Sequence, residues 1–315
     1  MENTVLENKI LVALDGSQQA MEAVQYVASV FPSQNTRVVL FHVSEPLSDL
    51  FGEMKTNQYY QTQLPRMRNW LADEQKHIAQ YMEDASSCLT EAGFDPERIE
   101  LKIQSKKLDV ARDIVAESYG AYDAVVVGRT GVSRFKDFFK KSAAVKLVDR
   151  IKHIPVIVIG GSPGAKRLCV GFDGSENAMK GITRVAMLLG GSACQIEILS
   201  LLSPRGRFWI EGEEYFLEDE SPKAVEKAHD GVMPHINKAR ARLLRAGFPK
   251  EHINIRIEVA TMDPARRIVN EVLSCGFGSV VIGRRALVGF FEEVFVGRVS
   301  EKVLKKADNV AVWIT

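Results

Sequence analysis

The stretch KILVALDGSQQAMEAVQYVA, residues 9–28, occurs a second time in the chain. Residues 167–186 read RLCVGFDGSENAMKGITRVA, at a constant offset of 158 positions. In each copy an apolar run ends in Asp-Gly-Ser, and a segment with helical periodicity follows directly. A short unbroken apolar run predicts a buried strand, whereas a 3.6-residue period predicts a helix. Both copies therefore predict a strand that turns through Asp-Gly-Ser into a helix.

The similarity continues along both copies in the same order. Residues 40–46, 91–103 and 125–131 correspond to residues 198–204, 245–257 and 280–286. Matches that stay colinear over the whole chain indicate an internal duplication. We therefore predict two domains with one ancestral fold, residues 1–160 and 161–315. The Gly- and Ser-rich segment 160–166 is the predicted linker.

Each copy predicts five strands that alternate with helices. The strands are short, apolar and rich in Val and Ile, which is typical of parallel strands buried on both faces beneath two layers of helices. We therefore predict an α/β fold of two tandem Rossmann-like doubly wound domains, each with a five-stranded parallel sheet flanked by helices. The longest helix of each copy carries an apolar stripe for the core, and Pro234 is expected to kink or restart the second of these helices.

The composition is that of a globular protein and argues against some classes of partner. Of 315 residues, 46% are hydrophobic and 26% are charged, and 41 basic residues are balanced by 40 acidic ones. A basic excess or about 18 successive apolar residues would be needed to predict nucleic-acid binding or a membrane span, so neither is predicted. The first residues also lack the apolar core of a signal peptide. The four cysteines show no metal-binding or CxxC spacing, so we expect structural thiols and a cytoplasmic protein.

A candidate ligand site lies at the carboxyl ends of the strands, an edge of each sheet that we call the crest. In a doubly wound sheet, ligands bind at the crest where the strand order reverses. In copy one, Asp15-Gly16-Ser17 follows the first strand, Val43 ends the second, and Gly128-x-x-Gly131 follows the fourth. Paired glycines let the backbone approach phosphate oxygens, and a helix start directs free N–H groups at an anion. The same residues also suit structural roles, because Asp and Ser cap helices and glycine is common in turns.

The combination of these motifs resembles the universal stress protein family in its two-domain form. Gly128-x-x-Gly131 is followed, after nine residues, by a position for glycine and then by Ser142. The resemblance implies strand order 3-2-1-4-5 in each half. It also implies that the last strands, PVIVI and VAVWI, pair the halves as an internal pseudo-dimer, which would cover two apolar edges. It is compatible with a further homodimer, and it implies ATP, with Mg²⁺ as its counter-ion, as the ligand.

The resemblance assigns residues to parts of the nucleotide. Adenosine would be surrounded by Ala13, Asp15 and Val43, and Asp173 and Leu201 are the corresponding residues of copy two. Ribose and phosphates would be held by the residues of the glycine motif, which are Val127, Gly128, Thr130, Gly131 and Ser142.

Both copies depart from the family pattern, each in its own way. In copy one, Lys141 stands at the third glycine position; its Cβ restricts backbone approach, although its ammonium can neutralise a phosphate. In copy two, Gly283 is kept but Ala286 replaces the second glycine, and Gly297 comes one residue later than the pattern. Arg298 then stands where Ser or Thr is expected. The candidate phosphate contacts of copy two are therefore Gly283, Arg285, Gly297, Arg298, Val299 and Ser300.

Two functions remain open from the sequence. In the first, the protein is an ATP- or adenine-nucleotide-binding stress-response regulator whose occupancy biases the binding of an unidentified protein partner. In the second, it is a nucleotide-free scaffold, and the divergent segments 44–66 and 203–222 bind a protein or an apolar small molecule. The sequence contains no catalytic constellation, so a dedicated enzyme is not predicted, and at most slow hydrolysis of bound ATP is expected.

Overall fold

The computed structural model of the chain describes residues 7–44, 64–129, 143–163, 166–202, 207–210, 213–216, 222–259, 264–284, 298–307 and 309–315. In its first half, strands alternate with helices from the amino terminus onward. The elements are β1 (Asn8–Leu14), α1 (Gln18–Val30), β2 (Thr36–Ser44), α2 (Leu64–Glu91), β3 (Ile99–Ser105), α3 (Val110–Ser118), β4 (Ala124–Gly128), α4 (Ala143–Arg150) and β5 (Val156–Ile159).

The second half repeats this order and also contains a hairpin, at a place that lies outside the described residues in the first half. Its elements are β6 (Arg167–Gly171), α5 (Glu176–Leu189), β7 (Gln195–Leu202), the hairpin strands β8 (Arg207–Ile210) and β9 (Glu213–Phe216), α6 (Pro222–Arg245), β10 (Ile253–Val259), α7 (Pro264–Ser274), β11 (Ser279–Ile282), α8 (Arg298–Lys306) and β12 (Ala311–Ile314). Outside the hairpin, every element has a counterpart at the same place in the first half.

Ten strands form one continuous sheet. Their order is β10-β7-β6-β11-β12-β5-β4-β1-β2-β3, so each half has the order 3-2-1-4-5. Neighbouring strands within each half are parallel. The one antiparallel pair in this sheet is β5 with β12, which joins the halves. The predicted fold class is confirmed, and the pairing of the two terminal strands is present.

The pairing of β5 with β12 buries what would otherwise be two apolar edges. Val156 lies opposite Ile314, and Ile159 lies opposite Ala311. All eight residues of the two strands are 0% exposed. Because the pair is antiparallel, the strands of the two halves run in opposite directions. The two crests therefore lie at opposite ends of the strands.

Helices cover both faces of the sheet. One apolar cluster contains residues of α1, α2, α5 and α6, and the other contains residues of α3, α4, α7 and α8. Each cluster includes residues of both halves, so the hydrophobic core continues across the junction. The predicted helical stripes are confirmed where their side chains are described, since Met82 and Leu89 on α2 and Ile236 and Leu243 on α6 are buried.

A buried hydrogen-bond network crosses the junction between the halves. The hydroxyl of Tyr26, on α1, lies 2.7 Å from the Ser279 hydroxyl on β11. It also accepts a hydrogen bond of 2.8 Å from the indole nitrogen of Trp313 on β12. The Trp313 ring stacks on Phe31, with ring centroids 5.7 Å apart. Three polar groups from two halves thus satisfy one another inside the core, where an unpaired group would be costly.

The structure corrects one expectation about the strands and one about a helix, and it adds an element. The outer strands β3 and β10 are not buried on both faces, because they end the sheet: Leu101 is 39% exposed and Ile103 is 53% exposed. Pro234 does not restart a helix, since α6 runs through it as one element. The hairpin β8–β9 within segment 203–222 was not predicted. In segment 44–66, residues 45–63 lie outside the described residues.

We expect Tyr26→Phe to destabilise the whole chain by about 2–3 kcal/mol, because it leaves the buried Ser279 hydroxyl and Trp313 N–H without their partner. Chemical unfolding followed by circular dichroism measures the change. The matched control is Tyr119→Phe, whose ring is 68% exposed and whose change should cost less than about 0.5 kcal/mol. Equal effects of the two substitutions would contradict the importance of the network.

Candidate functional site

The Asp-Gly-Ser turn has the same geometry in both halves. In the first, Asp15 Oδ1 accepts a 3.1 Å hydrogen bond from the Ser17 N–H, and Ser17 Oγ accepts a 3.2 Å bond from the Ala20 N–H as the N-cap of α1. In the second, Asp173 and Ser175 make the equivalent bonds of 3.0 Å and 3.2 Å at the start of α5. The intervening glycines have φ of +78° and +81°, a conformation that favours glycine. Each motif residue thus has a structural role before any ligand is considered.

Of the two carboxylate oxygens of Asp15, only one takes part in the hydrogen bonds of the turn. Its Oδ1 serves the turn, while its Oδ2 makes no hydrogen bond to any residue in the described part of the chain. The residue is partly exposed at the crest. A carboxylate oxygen in this setting can accept hydrogen bonds from the hydroxyl groups of a sugar.

The first glycine of the motif is required for packing. A Cβ at residue 128 would lie 2.7 Å from the carbonyl oxygen of Gln19 in α1. At residue 283 it would lie 2.8 Å from the carbonyl oxygen of Asn177 in α5. Both distances are below van der Waals contact, so the end of the fourth strand of each half touches the backbone of the first helix. Retention of Gly128 and Gly283 therefore follows from the fold alone.

The floor of the crest is apolar and similar in the two halves. In the first half, Ala13 and Val127 lie side by side in register on β1 and β4, and Val43 is the second-last residue of β2; all three are buried. In the second half, the paired residues are Gly171 and Ile282. The Ile282 Cδ1 lies 2.9 Å from where a Cβ of residue 171 would be. Gly171 has one carbon fewer than Ala13, and Ile282 has one carbon more than Val127. The total side-chain volume of the floor is therefore about the same in the two halves.

Leu201 occupies the position of Val43 in the second half and is partly exposed. Its side chain is one methylene larger than that of valine. The predicted adenosine residues Ala13, Asp15 and Val43 are thus brought together with Val127 and Gly128 at the crest of the first half.

Helix α2 packs over the Asp-Gly-Ser turn, which the sequence did not reveal. The Tyr81 hydroxyl donates a 3.0 Å hydrogen bond to the carbonyl oxygen of Ser17. The Ile78 Cδ1 lies 3.1 Å from where a Cβ of Gly16 would be. Burial, together with the nearby Asp15 carboxylate, raises the pKa of Tyr81 above its usual range, so the hydroxyl stays protonated. The apolar stripe of α2 identified both residues as packing residues, but gave no sign of the hydroxyl contact.

Several motif residues lie outside the described residues. These are Thr130, Gly131, Lys141, Ser142, Arg285 and Gly297. Arg298 and Val299 form the first turn of α8, and Ser300 follows as a side chain only 1% exposed. Helices α4 and α8 begin at Ala143 and Arg298, each fifteen residues after Gly128 or Gly283. The two loops therefore have the same number of residues. Counted from Gly128 and Gly283, Gly297 corresponds to Ser142 and not to Lys141.

The histidine and the buried cysteines that could take part in chemistry have structural roles instead. His42 is buried, with Nδ1 2.9 Å from the Leu14 carbonyl oxygen, as expected of a core histidine. All four cysteines are free thiols. Burial raises the pKa of the Cys169 and Cys194 thiols, which keeps them unreactive. Among the described residues, no group of three or more His, Cys, Asp or Glu side chains is placed to hold a metal ion.

A sequence model described as the universal stress protein family matches residues 7–160 and, separately, residues 164–314. The chain belongs to the universal stress protein family. Each half matches alone, in agreement with the repeated fold and turn geometry. No curated protein matches the chain. No helix in the described ranges has the length and apolar character to cross a bilayer.

Solved structures show that this universal stress protein shares its fold with others. A universal stress protein from Archaeoglobus fulgidus, 14% identical, aligns over 98% of both chains with a TM-score of 0.60. A protein of unknown function from Pseudomonas aeruginosa, also 14% identical, aligns over 98% of this chain and 92% of its own, with a TM-score of 0.54. A universal stress protein solved in complex with cAMP covers 49% of this chain and 96% of its own at 16% identity, with a TM-score of 0.32. At 14% identity, the first two alignments show a shared fold and nothing more.

The second half of this universal stress protein contains a charged cluster that the sequence did not predict. Glu271 on α7 is 3% exposed and accepts hydrogen bonds from Arg256 on β10 and, at 2.7 Å, from Arg267. Arg267 also donates to Glu258 at 2.6 Å, and Arg256 Nη1 lies 4.0 Å from Glu197. The cluster fastens α7 to the outer strands. In the first half, Lys102 and Glu117 make the equivalent link with one ion pair of 2.7 Å.

The cluster stabilises the ionised form of Glu271. Burial alone would raise its pKa, but the hydrogen bonds from Cys275 and Arg267 and the charges of both arginines hold the pKa below its usual value. Each carboxylate of the cluster has a guanidinium beside it. We therefore assign the cluster to stability rather than to proton transfer.

We expect Gly128→Ala and Gly283→Ala each to cost about 1–3 kcal/mol of unfolding free energy, because the added methyl meets helix backbone that cannot yield. Thermal and chemical unfolding without ligand provide the measurement. Gly181→Ala is the control, since its methyl would meet only side-chain atoms, Thr315 Oγ1 at 3.2 Å and Val281 Cγ1 at 3.5 Å. A cost at residues 128 and 283 no larger than that at residue 181 would argue against the packing role.

Acid should weaken the contribution of Glu271 to stability. Its pKa is lower in the folded state, so this contribution is complete above the usual pKa of glutamate, about 4.3. It is lost as the pH falls through the folded-state value. We expect Glu271→Gln to be less stable than the native chain at pH 7, with a gap that narrows toward pH 3, as measured by urea unfolding. Glu176→Gln, at a side chain 88% exposed, should show no such pH-dependent gap.

Proposed function

We propose that this universal stress protein binds an adenine nucleotide, ATP with its Mg²⁺ counter-ion, at the crest of its first half, and acts as a stress-response regulator in the cytoplasm. The observation that carries the proposal is the crest between β1 and β4. There the strand order reverses, an apolar floor lies beside a glycine backbone, and Asp15 keeps one carboxylate oxygen without a partner among the described residues. Ligands of doubly wound sheets bind at this place.

Each part of the crest suits one part of the nucleotide. The base would lie at the strand ends that contain the apolar residues Ala13, Val43 and Val127, and Asp15 offers an acceptor for ribose hydroxyls. The phosphates would lie beyond Gly128, against Thr130, Gly131, Lys141 and Ser142. Helix α4 begins at Ala143, and its free N–H groups would add to the binding of the anion.

The second half is a weaker candidate for the same ligand. Its turn at Asp173 and its floor are similar to those of the first half, but Ala286 replaces the second glycine of the motif. Position 235 is histidine where the first half has Tyr81, so the hydroxyl bond from the long helix to the turn is absent there. The proposal therefore places one nucleotide in each chain.

A nucleotide-free scaffold is the second candidate function, and one observation favours it. Gly128 and Gly283 are both required for packing, and both Asp-Gly-Ser turns cap helices. These residues would be retained without any ligand. In that case the segments 44–66 and 203–222 would bind a protein or an apolar small molecule.

The proposal also includes the position of the domain boundary and the oligomeric state. The boundary between the domains lies between residues 160 and 161, within the Gly- and Ser-rich segment that precedes β6. Two such chains form a homodimer, which light scattering coupled to size-exclusion chromatography tests directly; a monomeric mass would remove this point and leave the nucleotide site unaffected.

Nucleotide binding is tested with the full chain by acid release of bound nucleotide, chromatography and titration with ATP and Mg²⁺. We expect Asp15→Asn to weaken ATP binding about tenfold, because asparagine can still accept the Ser17 N–H bond but lacks the charge. Asp173→Asn is the matched control and should change binding less than about twofold. Gly131→Val, in the motif loop, should abolish binding.

The opposite results discriminate between the two candidate functions. If no adenine nucleotide is released and ATP neither binds nor raises the melting temperature, the scaffold function replaces the regulator. If Asp173→Asn weakens binding and Asp15→Asn does not, the nucleotide belongs to the second half.

A further inference from the structure

An arginine of the first half reaches the end of the last helix of the second half. Arg129 follows Gly128 at the first crest, and its Nη2 donates a hydrogen bond to the carbonyl oxygen of Ala307, directly after α8. Arg284 occupies the equivalent position after Gly283 at the second crest, and its backbone N–H donates a 2.7 Å hydrogen bond to the Thr315 carbonyl oxygen of its own half.

Arg129 is held firmly at the junction of the halves. Its backbone N–H donates a 2.8 Å hydrogen bond to the carbonyl oxygen of Ile159, at the end of β5. Its guanidinium lies against the backbone of Gly160, where a Cβ would be 3.0 Å from Cζ. The N–H of Gly160 in turn donates to the Val310 carbonyl oxygen of the second half at 3.3 Å. A shift of the backbone at residue 129 would therefore change the contacts at the junction and the hydrogen bond to Ala307.

The antiparallel junction makes α8 a connection between the two crests. Because the crests lie at opposite ends of the sheet, each last helix runs from its own crest toward the other one. Helix α8 begins at Arg298, beside the second crest, and ends next to Ala307, which Arg129 contacts from the first crest. A cation at the carboxyl end of a helix satisfies its last carbonyls and opposes its dipole. A helix of nine residues is marginal alone and depends on such contacts.

We propose that Arg129 couples the two crests, so that a nucleotide bound in the first half changes the stability of α8 in the second half. The coupling rests on the proposed nucleotide site. Linkage makes the effect reciprocal, so any anion that binds at the amino end of α8 changes the nucleotide affinity of the first half by the same factor.

The contact itself is tested without ligand, by hydrogen–deuterium exchange of the full chain. We expect Arg129→Gln to speed amide exchange in residues 298–307 about three- to tenfold, because the Ala307 carbonyl at the end of α8 loses the guanidinium that binds it, while Lys305 and Lys306 remain in the last turn. Arg112→Gln is the matched control, since Arg112 is exposed and pairs at 3.1 Å with Asp109 of its own half. Exchange in α8 that is the same in Arg129→Gln and the native chain would overturn the proposal.

The coupling is tested by repeating the exchange with saturating ATP and Mg²⁺. In the native chain, ATP should slow exchange in α8, and in Arg129→Gln this response should be lost. Arg284→Gln keeps Arg129, so it should retain the α8 response to ATP.

The outcomes separate the coupling from the site on which it rests. ATP binding to the native chain with unchanged exchange in α8, or an α8 response that persists in Arg129→Gln, would overturn the coupling alone. Failure of the native chain to bind ATP would overturn the proposed function and the coupling together.

Discussion

The antiparallel pairing of β5 with β12 is the interaction on which the rest of the molecule depends. Each half ends in an apolar strand that, alone, would be the open edge of a five-stranded sheet. Unpaired strand edges with apolar side chains promote aggregation, and here each edge covers the other. The pairing also fixes the direction of each half. It sets the crests at opposite ends of the sheet, and it brings α1 of the first half against β11 and β12 of the second.

The two halves consequently share one core. Tyr26, Ser279 and Trp313 meet in a buried network that neither half could complete alone. Buried polar groups of this kind contribute little while paired but cost much when a partner is removed. The junction is thereby specified by polar groups as well as by apolar contact, which favours one relative placement of the halves.

The crest shows how one set of residues serves the fold and suits a ligand at once. Gly128 lets β4 touch α1, and the same lack of a side chain leaves backbone exposed beyond the strand. Asp15 closes the turn with one oxygen and retains another. The residues that the fold needs for packing therefore also provide a surface suited to a ligand, and no further substitutions are required for it. This also means that a similar crest geometry in both halves does not imply two ligands.

Divergence between the halves is concentrated away from this shared geometry. The second half has gained the cluster around Glu271, where the first half has one pair between Lys102 and Glu117. The first half has the hydroxyl bond from Tyr81 to the crest turn. Duplicated domains that keep their turns and floors can thus acquire unequal roles through the helices that pack above them.

The sequence by itself determined the duplication, the order of strands and helices, and the Asp-Gly-Ser turns, because each of these is encoded by residues that are near neighbours in the chain. The burial expected for β3 was wrong because strand order, not the composition of a strand, decides which strands lie at the edges of the sheet. Only the tertiary structure decided that Tyr81 holds the crest turn, that Glu271 gathers two arginines and that Arg129 reaches Ala307. Arg129 and Ala307 are 178 positions apart, and no local pattern records a contact made by folding two halves against each other.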